Sequence, residues 1–349
     1  MTPDKNTPSE QASLSGSEEL AGQVAQLTRL VRSGERTNIE LALLLAKGLG
    51  NPPAFGQYLE DLLLFYQLAF ESKRKKLNAT ALTKLFQITC LHIQGRNLIA
   101  LPESLGALQN LAQLQCESNQ LQALPESLGK LQRLKWLLCY GNQLQALPES
   151  IGKLTKLEWI YCQENQLHSL PESIGKLHNL EKLYCQENQL HSLPESIGKL
   201  HNLQWLSCEN NQLQALPESL GELHSLGWLN CKNNQLQILP QSIGQLNSLG
   251  MLHCESNHLL TLPQSIGQLQ NLKWLYCGHN QLQALPESLG KLHNLQDLYC
   301  HSNQLQTLPE SLVALPKLKK LDARNNPLTH IPQALRQKEG LELLVDEGE

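Results

Sequence analysis

Apolar and polar positions follow two rhythms along this chain. In stretches such as Leu111-Ala112-Gln113-Leu114-Gln115-Cys116 they alternate, the signature of a short strand with one buried face. Leu114 and Cys116 point inward there, while Gln113, Gln115 and Glu117 point outward. The following Leu124-Pro125-Glu126-Ser127-Leu128-Gly129-Lys130-Leu131 leaves the extended pattern. Pro125 suits the first position of a helical turn, and Glu126 follows where an acid favours the positive helix end. Glu126 and Lys130 are spaced to pair along that turn. Gly129 inside it predicts a short, 3₁₀-like segment rather than a long helix.

This strand-and-turn unit recurs every 23 residues, carrying a proline from Pro102 to Pro332 and an asparagine from Asn119 to Asn326. One unit cannot bury its own leucines, but a stack can. The strands of a stack run parallel at a spacing of about 4.8 Å. Turns need more width than strands, so the stack is expected to curve with the strands on its concave side. Each Asn carries donors and an acceptor, and is expected to turn inward and tie neighbouring units together.

The spacing L-x-x-L-x-C-x-x-N-x-L within this period is the leucine-rich repeat signature. The longer run L-P-E-S-[LI]-G-x-L-x-x-L-x-x-L-x-C-x-x-N-Q-L, over roughly residues 86–332, resembles the cytoplasmic leucine-rich repeat arrays of the Ras-group and plant disease-resistance-like kind. The resemblance implies an α/β solenoid, a horseshoe with a concave parallel sheet and short helical or 3₁₀ convex turns. It also implies a scaffold or recognition module. Two departures stand out. Cys replaces the usual inward Leu in nine units, and the sequence carries no recognisable kinase, GTPase, nucleotide-binding or ligase domain.

Four segments follow from the pattern. Residues 1–18, rich in Ser, Pro, Glu and Gln, are expected to be a disordered tail. Residues 19–85 are expected to form a helical cap over the first strand's open edge. Its first helix is marked by Leu20, Val24, Leu27, Leu30 and Val31, and its second by a capping box at Thr37-Asn38-Ile39-Glu40. After Pro52 and Pro53 a third helix is expected over about 56–72, carrying Leu59, Leu62, Leu63, Tyr66, Leu68 and Phe70. Residues 86–332 hold about eleven units, the first atypical at Ile93 and Arg96 and the last at Ala323. Residues 333–349 should supply a closing cap, with a short helix and a last strand, and an acidic tail.

Composition narrows the function. Lys and Arg number 28 against 32 Asp and Glu, a net charge of −4 with mixed signs, which argues against a nucleic-acid partner. Apolar runs are too short to span a membrane. The polar start, Met1-Thr2-Pro3-Asp4-Lys5-Asn6, has no apolar signal region, so a cytoplasmic monomer is expected. Type III-style export of a bacterial effector needs no such signal and stays open as an alternative. Of ten cysteines, nine (Cys116 to Cys300, every 23 residues) occupy one inward position. They read as a ladder of small apolar thiols, not as disulfides. No C-x-x-C spacing exists for zinc, and no cofactor is expected. The Ser after each Pro-Glu or Pro-Gln recurs too often to be a unique nucleophile. No phosphate loop or dinucleotide fingerprint is present. The sequence therefore reads as non-catalytic. His178, His201, His224 and His293 share one convex position and read as solvated copies, whereas His253, His279 and His301 group loosely on the concave face.

The outward strand positions carry the candidate chemistry. Ten of the twelve Trp and Tyr residues fall in three of these columns. The first holds Trp136, Trp159, Lys182, Trp205, Trp228, Met251 and Trp274; the second holds Tyr161, Tyr184, Tyr276 and Tyr299; the third holds Tyr140. Aromatics favour strands and pack on their neighbours, but that alone does not leave the convex side without any. Exposed aromatic surface marks contact sites, and Trp and Tyr are favoured anchors. The expected centre runs from Trp136 to Tyr184 and on through Trp205 and Trp228, with a second patch at Trp274, Tyr276 and Tyr299. Glu117, Glu164, Glu187 and Lys135 are among the charges expected at the rim. The expected partner is a protein or peptide, with a carbohydrate or other small ligand as the alternative occupant.

Overall fold

The computed structural model describes residues 8–346, with the backbone alone for 8–17. Twelve three-residue strands, from β1 (Cys90–His92) to β12 (Glu342–Leu344), form one parallel sheet in strict sequence order. Register never slips: Trp136 pairs with Trp159, Trp159 with Lys182, and Lys182 with Trp205. Each same-numbered position therefore becomes a straight column across the sheet. The fold is a leucine-rich repeat solenoid, with 3₁₀ turns such as Glu126–Lys130 forming the opposite wall. Leu111, Leu114, Cys116, Leu121, Leu128 and Leu131 of one unit are fully buried between the two walls. Each buried leucine contributes about 1.5–3 kcal/mol relative to exposure.

The repeated Asn does what its chemistry implies. Asn188 donates Nδ2 to the carbonyls of Cys162 and Cys185, both at 3.1 Å, while its Oδ1 accepts from Leu167 N at 2.9 Å. One amide thus satisfies backbone groups of its own unit and of the one before. The residue preceding each repeat Asn lies in the left-handed region, as at Ser118 (φ 55°), Gly141 (φ 63°) and Glu187 (φ 54°). That turn reverses the chain after the strand and swings the Asn inward.

Two details of the convex turn differ from the sequence reading. Proline stands one position earlier than expected. Pro125 is extended (φ −68°, ψ 148°) and caps a turn that begins at Glu126. Glu126 and Lys130 form no ion pair among the described residues. In other units the acid at this position serves the next unit: Glu103 accepts from Glu126 N at 3.1 Å and Ser127 N at 2.9 Å, and Glu172 accepts from Ser196 N at 3.3 Å although Lys176 stands four residues on. Those amides are the orphan donors at the start of a helical turn, so bonding them outweighs an exposed pair with Lys. Gly129 is set by space, since a Cβ there would lie 2.6 Å from Ser150 O in the next turn.

The N-terminal cap has four helices, α1 (Pro8–Arg32), α2 (Arg36–Gly48), α3 (Pro53–Phe70) and α4 (Ala79–Phe86). Residues 8–18 of the expected tail are helical, and residues 1–7 lie outside the described residues. Once Leu27 and Val31 are packed, extending the helix toward Pro8 needs no new nucleus. The capping box at Thr37 does not form. The N-cap is Glu35, with no side-chain cap bond, and Thr37 lies inside α2. α4 adds a helix to the three that the sequence pattern marks, and Asn78 accepts from Ala81 N at 2.9 Å in ordinary N-cap fashion. α3 packs on β1 and on the first 3₁₀ turn. Arg96, standing where the repeat has Asn, ties the cap to the first unit through Glu71 at 3.0 Å. At the other end a short helix, α5 (Gln333–Arg336), precedes β12.

Candidate functional site

Because the register is exact to the residue, side chains in one column sit a strand apart and their rings meet face to face. Trp136 and Trp159 stack at 4.5 Å between centroids with planes 3° apart. The Lys182 ammonium continues that column, 4.5 Å from the Trp159 ring and 4.9 Å from Trp205. In the next column Tyr161 and Tyr184 stack at 4.8 Å. Tyr276 and Tyr299 do the same at 4.8 Å in the second patch, where Lys273 lies 5.7 Å from the Trp274 ring. Rings stacked along the solenoid axis turn their faces to each other and their edges to solvent. The site residues are accordingly half-buried, and Trp205 is the most open of them, with 37% of its surface accessible. Tyr140 lies one column further on and makes no ring contact among the described residues. Burial, and after it Glu117 and Glu164, raise its hydroxyl pKa. Burial also raises those of Tyr161, Tyr184 and Tyr276.

The ladder breaks between Trp205 and Trp228. Their strands pair in register, yet the two rings make no stacking contact. Trp228 leans toward Tyr184, with centroids 6.5 Å apart, and its Nε1 points at Met251 Sδ, 2.8 Å away. The break opens a cleft of about 470 Å³ lined by Gln204, Trp205, Ser225, Gly227, Trp228, Ser248, Gly250, Met251 and Trp274. The sequence signal for it was the column just ahead of the Trp column. That column runs Lys135, Glu158, Glu181, Gln204 and then Gly227, Gly250, Lys273.

The charged surroundings differ from a simple rim. Glu164 and Glu187 are exposed, but Glu117 is only 8% accessible. It lies in the third outward column one strand from Tyr140, whose hydroxyl pKa it helps to raise. Lys135 is paired with Glu158 at 2.7 Å. Glu255 sits half-buried between His253 (2.7 Å), His301 (3.6 Å) and Lys232 (3.8 Å). The hydrogen bond from His253 holds its carboxyl below the ordinary value against the opposing effect of burial. His253 and His301 thus meet at one carboxylate, and His279 joins them only through the His301 ring, edge to face at 4.9 Å.

The cysteine column from Cys116 to Cys300 is buried and free of disulfides. The thiols from Cys162 to Cys254 donate to the next strand's carbonyls, as Cys185 Sγ does to Ser207 O at 3.2 Å. Burial pushes the Cys162 and Cys231 thiols up to about 12. Such protonated thiols are poor nucleophiles. Among the described residues no group of His, Cys, Asp or Glu is arranged to hold a metal ion, and no helix is long and apolar enough to cross a membrane.

The family model described as a leucine-rich repeat region matches residues 62–165, 195–281 and 218–322, and a two-copy leucine-rich repeat model matches residues 155–198. The chain belongs to the leucine-rich repeat family. Comparison with curated proteins finds no match. Among solved structures, a leucine-rich repeat protein of Leptospira interrogans is 30% identical, with a TM-score of 0.63 over 78% of this chain and 81% of that one. The functional domain of InlJ from Listeria monocytogenes, described as including a cysteine ladder, is 25% identical, with a TM-score of 0.65 over 76% of this chain and 54% of that one. YopM of Yersinia pestis, a leucine-rich effector protein, is 26% identical, with a TM-score of 0.62 over 83% and 81%. The leucine-rich repeat fold is in general a non-catalytic interaction scaffold.

Proposed function

We propose that this leucine-rich repeat protein is a non-catalytic recognition module that holds a protein or peptide segment against its concave sheet. The observation that carries the reading is the continuous aromatic ribbon from Trp136 through Trp159, Lys182 and Trp205, flanked by Tyr161 and Tyr184. Rings already stacked on each other are rigid, so a partner that packs on them orders little new side-chain freedom on binding. The mixed charges around the ribbon supply register and selectivity rather than bulk affinity.

The carbohydrate alternative fits this ribbon less well. Sugars stack on open ring faces, and the faces of Trp136 and Trp159 are taken up by each other. The reading extends to a monomer working in the cytoplasm, in signalling or as a delivered bacterial effector. Similarity to an effector protein supports that second setting. Cell fractionation with a tagged chain tests it.

The test of function is a pull-down from reduced lysate with the whole chain and with a Trp159→Ala/Tyr161→Ala/Tyr184→Ala variant, followed by titration of any captured protein. Capture by the wild type alone, with matching far-UV circular dichroism for both baits, is the expected result. Equal capture by both, or loss of folding in the variant, returns the ribbon to a role in sheet packing.

A further inference from the structure

Gly227 and Gly250 are glycines that the fold does not require. Neither lies at positive φ. A Cβ on Gly227 would meet nothing nearer than Gln204 O at 3.8 Å, and one on Gly250 nothing nearer than Gly227 O at 3.6 Å, both ordinary contacts. The turn glycines behave oppositely: a Cβ on Gly152 would lie 2.5 Å from Ser173 O. In the same column the chain elsewhere tolerates Lys, Glu and Gln. Two adjacent glycines in that column therefore do one thing that longer residues would prevent. They leave the floor of the cleft open beneath Trp205, Trp228, Met251 and Trp274.

A lysine stands over a ring on each flank of the cleft. Lys182 covers the Trp205 ring on one side and Lys273 the Trp274 ring on the other. Neither has a carboxylate within ion-pair distance among the described residues, although Glu181 and Asp297 lie on the same side of the sheet. By strand spacing, Lys182 stands about 12 Å and Lys273 about 7 Å from the middle of the two glycines. An extended chain crossing the strands would cover those distances in about four and about two residues.

Resting on the recognition reading above, we propose that this cleft is the anchor subsite for an extended acidic segment of a partner protein. One large apolar side chain of that segment seats over Gly227 and Gly250, among three indoles and a thioether. Carboxylates on either side of it meet Lys182 and Lys273. The rings of Trp136 and Trp159 are stacked on each other, whereas Trp205 and Trp228 make no stacking contact and Trp205 is 37% accessible. A single buried anchor ringed by weaker contacts is how binding energy is commonly concentrated.

The test uses a library of random linear peptides displayed on phage and panned on the whole chain. A synthetic copy of the most enriched peptide is then titrated by fluorescence anisotropy. Enrichment of one large apolar residue flanked by Asp or Glu is expected. Gly227→Gln/Gly250→Gln, which copies Gln204 and Gln296 of the same column, should weaken binding by about tenfold or more while leaving the melting temperature unchanged. Lys273→Gln should weaken it less and flatten its salt dependence. Undiminished binding by the glycine variant, enrichment of basic or wholly polar sequences, or no enrichment would overturn the cleft. A peptide insensitive to the glycine variant but lost in Trp159→Ala/Tyr161→Ala/Tyr184→Ala would overturn the cleft and leave the recognition reading standing. One insensitive to both sets would remove both.

Discussion

Trp159 carries the Lys182 ammonium 4.5 Å from its ring centroid and the Trp136 ring at 4.5 Å on its other face. The cation also bridges to Trp205, so it holds the column together where an indole is missing. A half-exposed cation over an aromatic ring contributes about 0.5–1 kcal/mol. Lys182→Ala is expected to lower urea-unfolding stability by about that amount, and to change the near-UV circular dichroism of the tryptophans. An unchanged near-UV spectrum would show that the lysine does not order the rings.

Asn211 bonds the carbonyls of Cys185 and Cys208 at 3.1 Å and the amide of Leu190 at 2.9 Å. Asn211→Ala leaves those backbone groups unpaired in the middle of the array. The expected loss is about 1–3 kcal/mol in urea unfolding, with a broadened transition as the two halves of the stack decouple. A change below a few tenths of a kcal/mol would mean that water replaces the amide.

Gly129 and Gly227 make a contrast within one chain. Gly129→Ala places a methyl 2.6 Å from Ser150 O, backbone that cannot step aside without shifting the next turn. A loss of about 1–3 kcal/mol is expected, as for overpacking. Gly227→Ala should be neutral or slightly stabilising, because the site has room and the unfolded chain loses freedom. Thermal melts of the two variants side by side check the pair, and equal melting temperatures would contradict it.

The thiol ladder predicts a pH limit. In the unfolded chain these thiols titrate near 9.0, whereas burial holds Cys162 and Cys231 protonated to about 12. The folded state therefore binds more protons than the unfolded state between those values. Stability is unaffected by the thiols below pH 9.0 and falls as pH rises from there toward 12. The urea midpoint should drop above about pH 9, and less steeply in Cys162→Ala. In the native state at pH 8 a thiol reagent should modify the partly exposed Cys90 first and the nine buried thiols only on unfolding. Rapid labelling of all ten without denaturant would contradict the ladder's burial.

The wall of leucines, the inward Asn and the aromatic columns were legible because a repeat of fixed length keeps register. Once Trp136 and Trp159 are 23 residues apart in identical units, their strands must pair them. The cap was less legible. Thr37 and Glu40 have the spacing of a capping box, but the helix starts earlier because Ile39, Ala42 and Ala46 bury toward α1 and α4 and fix where it runs. A local motif loses to tertiary packing when the packing is worth more than one hydrogen bond.

Sequence alone determined the solenoid, its parallel sheet and which side chains share a face, since these follow from periodicity and the need of each unit to bury its leucines on the next. Only the tertiary structure decided how neighbouring side chains divide space. It placed Glu103 on the amides of Glu126 and Ser127, and Ser150 too close to Gly129 for any side chain there. It also turned Trp228 away from Trp205, opening a cleft over Gly227 and Gly250. Those outcomes depend on distances of a few tenths of an ångström between units, which a one-dimensional pattern does not contain.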